Sequence, residues 1–177
     1  KTFLEKNIGS LETTNIQKEF YLTDLINIAF QNKLGRVIVQ VNEDSIQGVN
    51  SMSQLNDVEN TLRKQLIESH MENGVYFQDP NSTYIDKSVQ IESGAKILAN
   101  CHLTGKTIID KDCVIGPNSI INDSKIGEGS VIQFSVIDEA VIKSNGMIGP
   151  YAHLRKGSNL DENVKVGAFA ETKNSKI

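Results

Sequence analysis

An aliphatic residue recurs every six positions through the second half of the chain, and this period restricts the fold more than any other feature. An α-helix requires a period of about 3.6 and a half-buried strand a period of two. A period of six is typical of a hexapeptide β-helix, in which each repeat forms one short strand and one turn. The aliphatic positions, which slip in phase between 121 and 142, are Ile85, Ile91, Ile97, Leu103, Ile109, Ile115, Ile121, Ile126, Ile132, Ile137, Ile142, Ile148, Leu154, Leu160 and Val166.

Three such strands close one triangular coil. Each residue is therefore expected to lie beside the residue eighteen positions later, at the usual strand spacing of about 4.8 Å. A mostly small residue occurs four positions after each aliphatic residue and lets the chain turn a corner. Turn-forming residues, for which left-handed conformations are common, recur between the strands at Gly94, Asn100, Asp112 and Asn118.

Composition excludes several classes of function. The net charge of −4 argues against binding of nucleic acid or acidic lipid by charge alone. No apolar run approaches the roughly 20 residues of a membrane span, and residues 1–10 lack a signal-peptide core. Cys101 and Cys113 are expected to be buried at separate corners, neither disulfide-linked nor zinc ligands. Two cysteines favour the reducing cytoplasm.

The patterns in residues 1–50 indicate the C-terminal remnant of an α/β domain. Thr23 or Asp24 can cap a helix over residues 25–30, and residues 36–41 form a β-branched strand pattern. Such a block buries too little apolar area to fold as a whole domain.

A long helix is predicted from Ser51 to Asn73. Ser51 or Ser53 is its N-cap, Ser51 and Gln54 fit a capping box, and Gly74 is the stop. It would form a rod of roughly 34 Å. Its predicted apolar stripe consists of Met52, Leu55, Val58, Leu62 and Leu66. The predicted domains are the α/β end at 1–50, the helical arm and turn at 51–80, and the first coils of the β-helix at 81–177.

Five motifs then occur in the order of a known family: residues 19–26, 48–50 with 54–55, 71–75 with 79–80, 148–155 and 166–173. With them the chain resembles the bifunctional N-acetylglucosamine-1-phosphate uridyltransferase and glucosamine-1-phosphate N-acetyltransferase family, the GlmU family. The resemblance implies a mainly β fold: a left-handed parallel β-helix that forms a homotrimer, preceded by the arm and the nucleotidyltransferase remnant. It covers the whole chain but only the middle of the family's length.

The resemblance also implies an activity. In the family the β-helix transfers acetyl from acetyl-CoA to glucosamine-1-phosphate, and the other domain couples the product to UTP with Mg2+. The product, UDP-N-acetylglucosamine, serves cell-wall and lipopolysaccharide synthesis in the bacterial cytoplasm. The family's catalytic histidine falls beyond Ile177, so His70, His102 and His153 are not expected to be catalytic. We therefore expect a fragment with both sites incomplete, inactive alone.

Arg155 and Lys173 match the arginine and lysine that the family uses on the sugar phosphate. Their spacing of eighteen independently places them on one face, one coil apart. Two such like charges cost on the order of 1 kcal/mol in water, and a bound dianion would turn this repulsion into attraction. The alternative is that both side chains extend into solvent. The same register pairs Tyr151 with Phe169 and His153 with Glu171 as structural ladders.

Asn50 matches an asparagine that holds magnesium in the family. Without the resemblance, its position indicates only a residue at the entry of a helix. An amide oxygen suits Mg2+ only together with carboxylates and phosphates. Ala168 and Thr172 depart from the family pattern. Two other functions stay open: a non-catalytic trimerisation or scaffold module, and the regulatory β-helix of a related sugar nucleotidyltransferase.

Overall fold

A computed structural model of the chain describes residues 2–35, 37, 39–41, 46 and 48–177. The chain divides into two compact units, Lys1–Ile46 and Gln47–Ile177. The finer division at residues 50 and 80 stays a prediction.

The described part of the first unit contains two short helices. Helix α1 spans Thr2–Asn7, a 3-10 turn follows at Ile8–Ser10, and α2 spans Asp24–Gln31. The predicted helix over 25–30 is confirmed, although the Thr23 side chain makes no capping hydrogen bond. Among the described residues of this unit Leu25 alone is buried. This agrees with a segment that has little apolar core of its own.

The strand predicted over 36–41 is not observed where it can be assessed. Residues 36 and 38 lie outside the described residues, and residues 37 and 39–41 have no strand assignment. A strand needs a neighbouring strand for its backbone hydrogen bonds, and β-branched residues alone do not supply one.

The arm of the second unit is helix α3, Met52–Glu72. Ser51 is its N-cap and accepts a hydrogen bond from the Gln54 amide at 3.2 Å, while Gly74 follows with a φ of +86°, as predicted. The predicted apolar stripe is only partly the packing face: Leu66 packs against the core, but Met52 and Leu62 are exposed, and the buried residue, Ile67, lies outside the stripe. The C-terminal half of the helix contacts the β-helix: the Arg63 guanidinium lies 4.3 Å from the centre of the Tyr84 ring, and Ile67 belongs to the apolar core. No helix in the described ranges has the length and apolarity of a membrane span.

Seventeen short strands form the predicted parallel β-helix, with three walls. The first wall contains β1 Tyr76–Phe77, β4 Lys96–Ile97, β7 Val114–Ile115, β10 Val131–Ile132, β13 Met147–Ile148 and β16 Lys165–Val166. The second wall contains β2 Tyr84–Ile85, β5 His102–Thr104, β8 Ile120–Asn122, β11 Val136–Asp138, β14 His153–Leu154 and β17 Glu171–Thr172. The third wall contains β3 Gln90–Ile91, β6 Ile108–Ile109, β9 Lys125–Ile126, β12 Val141–Ile142 and β15 Asn159–Leu160. A second 3-10 turn, Pro80–Ser82, joins β1 to β2.

The interior confirms the six-residue pattern. All fifteen predicted aliphatic residues are buried, and the residue before each of them faces outward. Full burial of one such side chain stabilises the fold by about 1.5–3 kcal/mol. The predicted corner residues Gly94, Asn100, Asp112 and Asn118 all have positive φ. The aliphatic period therefore fixes which side of each strand points inward.

The phase slips in the sequence correspond to shorter coils. Val114 pairs with Val131, and Val131 with Met147, at separations of 17 and 16 residues instead of eighteen. Buried serine hydroxyls bond the backbone here: the Oγ atoms of Ser124 and Ser130 accept from the amides of Ala140 and Gly146, at 3.0 and 3.1 Å. No buried side-chain oxygen or nitrogen of the described residues lacks a partner. The eighteen-residue register then resumes in the last coils, where Met147 pairs with Lys165.

Candidate phosphate-binding site

Arg155 and Lys173 lie directly after strands β14 and β17 of the second wall. Within these strands His153 pairs with Glu171 and Leu154 with Thr172. The Arg155 amide donates to the Thr172 carbonyl at 2.9 Å, which continues the same register. Arg155 and Lys173 are therefore neighbours on adjacent strands, at a backbone spacing of about 4.8 Å.

A carboxylate lies against these cations. Glu171 Oε1 accepts a hydrogen bond from Arg155 Nη1 at 2.7 Å, and both side chains are about half exposed. The Arg155 guanidinium holds the pKa of the Glu171 carboxyl below its usual range, and the charges of His153 and Lys173 lower that pKa further. Lys173 is exposed and makes no ion pair with any residue that the structure describes. The electrostatic field at this position therefore favours an anion.

An aromatic ladder follows the opposite corner of the same wall. The rings of Phe134 and Tyr151 have centroids 5.7 Å apart, and those of Tyr151 and Phe169 lie stacked at 5.3 Å. All three residues have positive φ, and Phe169 is 83% exposed. The predicted pairs of Tyr151 with Phe169 and His153 with Glu171 are both confirmed. They show that the register at the candidate site is the one that the sequence predicts.

Sequence reasoning missed Glu171 as the partner of Arg155, since it placed this glutamate only beside His153. The register contained the signal. Glu171 lies two positions before Lys173 and is the diagonal neighbour of Arg155 across the strand pair, within reach of long side chains. Register fixes which residues are adjacent, but it leaves the direction of a flexible side chain open.

The cysteines and the other two histidines lie away from this site. Cys101 and Cys113 are buried free thiols, as predicted, and burial raises the pKa of each to about 11. His102 stacks on Tyr84 with ring centroids 4.7 Å apart. His70 lies on α3, and burial lowers its pKa. These arrangements are those of packing residues.

Asn50 occupies the entry of α3. Its backbone amide donates to Gln54 Oε1 at 2.7 Å, beside the Ser51 cap. In the part of the chain that the structure describes, no group of three or more His, Cys, Asp and Glu side chains could hold a metal ion. The described residues alone therefore do not form a magnesium site around Asn50.

The fold and the site define a class: a hexapeptide-repeat parallel β-helix with two cations on adjacent strands of one wall. The family described as "GMPPB C-terminal domain" matches residues 84–177, and the chain belongs to this family. The matched region begins at strand β2 and includes Arg155, Glu171 and Lys173.

The chain also matches bifunctional GlmU proteins over nearly its whole length, which confirms the resemblance found in the sequence. It is 42% identical to "Bifunctional protein GlmU" of Clostridium novyi over 174 residues, which are 98% of this chain and 38% of that protein. "Bifunctional protein GlmU" of Alkaliphilus metalliredigens is 41% identical, and the match covers 98% of this chain and 38% of that protein. The protein of the same name from Enterococcus faecalis is also 41% identical, and the match covers 96% of this chain and 37% of that protein. The chain thus spans less than two fifths of these relatives.

Among solved structures, a perosamine N-acetyltransferase of Caulobacter crescentus in complex with CoA and GDP-perosamine is 14% identical, with a TM-score of 0.40. The match covers 64% of this chain and 61% of that protein. A likeness of this size adds nothing to the fold that the strand register already shows.

Proposed function

We propose that the chain is the middle part of a bifunctional enzyme that makes UDP-N-acetylglucosamine, and that its β-helix belongs to the acetyltransferase half. In this proposal Arg155 and Lys173 bind the phosphate of glucosamine-1-phosphate. The observation that carries it is the pair of cations on adjacent strands, of which Arg155 already binds the Glu171 carboxylate. The similarity to GlmU proteins along the chain supports the choice of substrate.

The two cations suit a phosphate monoester for different reasons. A guanidinium offers parallel N–H donors that match two phosphate oxygens, and an ammonium adds a compact charge. Because Arg155 follows β14 and Lys173 follows β17, backbone hydrogen bonds between the strands fix both Cα positions before a ligand arrives. A rigid wall therefore positions the phosphate end of the sugar.

The proposed acetyl transfer makes one bond and breaks one. The sugar amine attacks the thioester carbonyl of acetyl-CoA, the C–N bond forms, the C–S bond breaks, and CoA leaves as its thiol after the amine has lost a proton to a base. The role of Arg155 and Lys173 is to orient the amine by holding the phosphate, which converts an encounter of two molecules into a reaction of fixed groups.

The second proposed reaction is uridyl transfer. An oxygen of N-acetylglucosamine-1-phosphate attacks the α-phosphorus of UTP, and pyrophosphate leaves. Mg2+ would neutralise phosphate charge there, and Asn50 would contribute one amide oxygen beside carboxylates from other parts of the enzyme. We further propose a homotrimer in the bacterial cytoplasm, in line with the bacterial sources of the relatives.

Isothermal titration of glucosamine-1-phosphate into the protein at its natural length tests the phosphate assignment. Arg155→Ala should weaken binding by about tenfold or more, because a hydrogen bond to a charged group contributes roughly 1.5–3 kcal/mol. Lys143→Ala is the matched control, since Lys143 also pairs with a carboxylate of the next coil, Asp161, at 2.6 Å. It removes the same charge from a different wall.

The expected result is a loss of affinity in Arg155→Ala and Lys173→Ala, with Lys143→Ala close to wild type. Equal affinities in Arg155→Ala and wild type would contradict the phosphate assignment. An equal loss in the control would show that only net charge matters, and would contradict it as well.

A further inference from the structure

We infer that Glu171 is an internal competitor for the phosphate subsite: its carboxylate occupies the Arg155 guanidinium in the free protein and must leave when a phosphate monoester binds. The inference rests on the proposed function of Arg155 and Lys173. It adds a residue that sets how tightly this subsite binds anions.

Glu171 already occupies part of the Arg155 guanidinium. Arg155 Nη1 donates to Glu171 Oε1 at 2.7 Å, so one of the N–H groups needed by two phosphate oxygens is already engaged. The hydrogen bond and charge of Arg155 lower the pKa of the Glu171 carboxyl, and the charges of His153 and Lys173 lower it further. The carboxylate therefore occupies the position in which the local field favours negative charge.

The contact between Arg155 and Glu171 can open. Arg155 and Glu171 are 43% and 56% exposed, so neither side chain is locked by packing. The only hydrogen bond of the Glu171 side chain within the described ranges is the one to Arg155. Exposed ion pairs of this kind contribute little net free energy, so a dianion that meets two cations can displace a monoanionic carboxylate.

The Glu171 carboxylate cannot stay on Arg155 when a phosphate binds there. Glu171 is paired with His153 and precedes Lys173 by two positions, so its Cα lies on the same outward row as the phosphate ligands. A carboxylate beside a phosphate dianion is repelled.

The test uses inorganic phosphate as the probe, titrated into the protein at its natural length. Glu171→Gln keeps the shape of the side chain and removes its charge, so it should bind phosphate about two- to fivefold more tightly than wild type, the range that exposed ion pairs support. Glu128→Gln is the matched control. Glu128 pairs with Lys111 at 3.0 Å on a different corner, with similar exposure, and its loss changes the net charge equally.

Competition for the guanidinium is supported if Glu171→Gln binds phosphate more tightly than wild type and Glu128→Gln does not. The gain in affinity should also disappear in the double variant Arg155→Ala/Glu171→Gln. Equal tightening in both single variants, no change, or weaker binding in Glu171→Gln overturns it. The proposed function fails separately, since it requires Arg155→Ala to lose affinity whatever Glu171 does. A crystal structure with sulfate gives a second readout. The Glu171 carboxylate should have left Arg155, and an intact 2.7 Å contact beside bound sulfate would overturn the inference.

Discussion

Ile67 is the residue of helix α3 on which the stability of the β-helix should depend most. Its side chain is 2% exposed and belongs to the same apolar cluster as Val75, Phe77 and Ile85 of the first coil. A β-helix is a stack of coils, and its terminal coil needs a cover over the apolar interior. The C-terminal end of α3 provides this cover.

Ile67→Ala removes three buried carbons, each worth about 0.8 kcal/mol, and leaves a cavity under the helix. We expect a loss of about 2–4 kcal/mol in the free energy of unfolding. Urea denaturation followed by circular dichroism measures it as a lower midpoint at unchanged slope.

Leu62→Ala is the control, because Leu62 is 54% exposed and belongs to the stripe that the sequence favoured. It should cost less than about 0.5 kcal/mol, as substitutions at exposed positions do. If Leu62→Ala cost as much as Ile67→Ala, the packing of α3 on the first coil would be wrong.

Three further predictions concern the coils and the site. Gly127→Ala should lose about 1–3 kcal/mol of stability, because a Cβ there would lie 2.7 Å from the Lys143 carbonyl carbon. Gly167→Ala is the control, since a Cβ at that position has open space; comparable melting temperatures of the two variants would contradict the prediction. Cys101 and Cys113 should not react with a disulfide reagent at pH 8 in the folded protein, because burial raises both thiol pKa values to about 11 and so keeps the thiols protonated. Both thiols should react in denaturant, and fast labelling of the folded protein would refute the prediction. Glucosamine-1-phosphate affinity should fall as NaCl rises from 50 to about 500 mM, since Arg155 is 43% exposed and its field is screened; a flat salt profile would argue against a charged contact.

The period of the aliphatic residues was sufficient to predict the walls, the inward faces and the eighteen-residue register at the site. Arg155 and Lys173 are adjacent because nothing in their coils shortens the repeat. The slips at 126, 137 and 142 were visible as changes of phase, but the hydroxyl bonds of Ser124 and Ser130 were not. Those bonds depend on where coils of different length place an amide, which a repeat pattern does not specify.

The features that the sequence predicted wrongly or missed have a common physical origin. The stripe from Met52 to Leu66 correctly predicted a helix, and Leu66 packs against the core. Met52 and Leu62 nevertheless stay exposed, because a helix buries only the side chains that its neighbour covers. The β-branched run at 36–41 lacks a paired strand in its described part. The contact of Glu171 with Arg155 depends on rotamers. In each case a property of the partner decides the outcome, and local sequence does not contain it.

The most direct test of the account is a crystal structure of the protein at its natural length with glucosamine-1-phosphate. The account predicts that phosphate oxygens lie within hydrogen-bond distance, about 2.7–3.2 Å, of both the Arg155 guanidinium and the Lys173 ammonium. A phosphate bound elsewhere, or bound by only one of the two cations, would contradict the proposal that these neighbouring strands form the phosphate site.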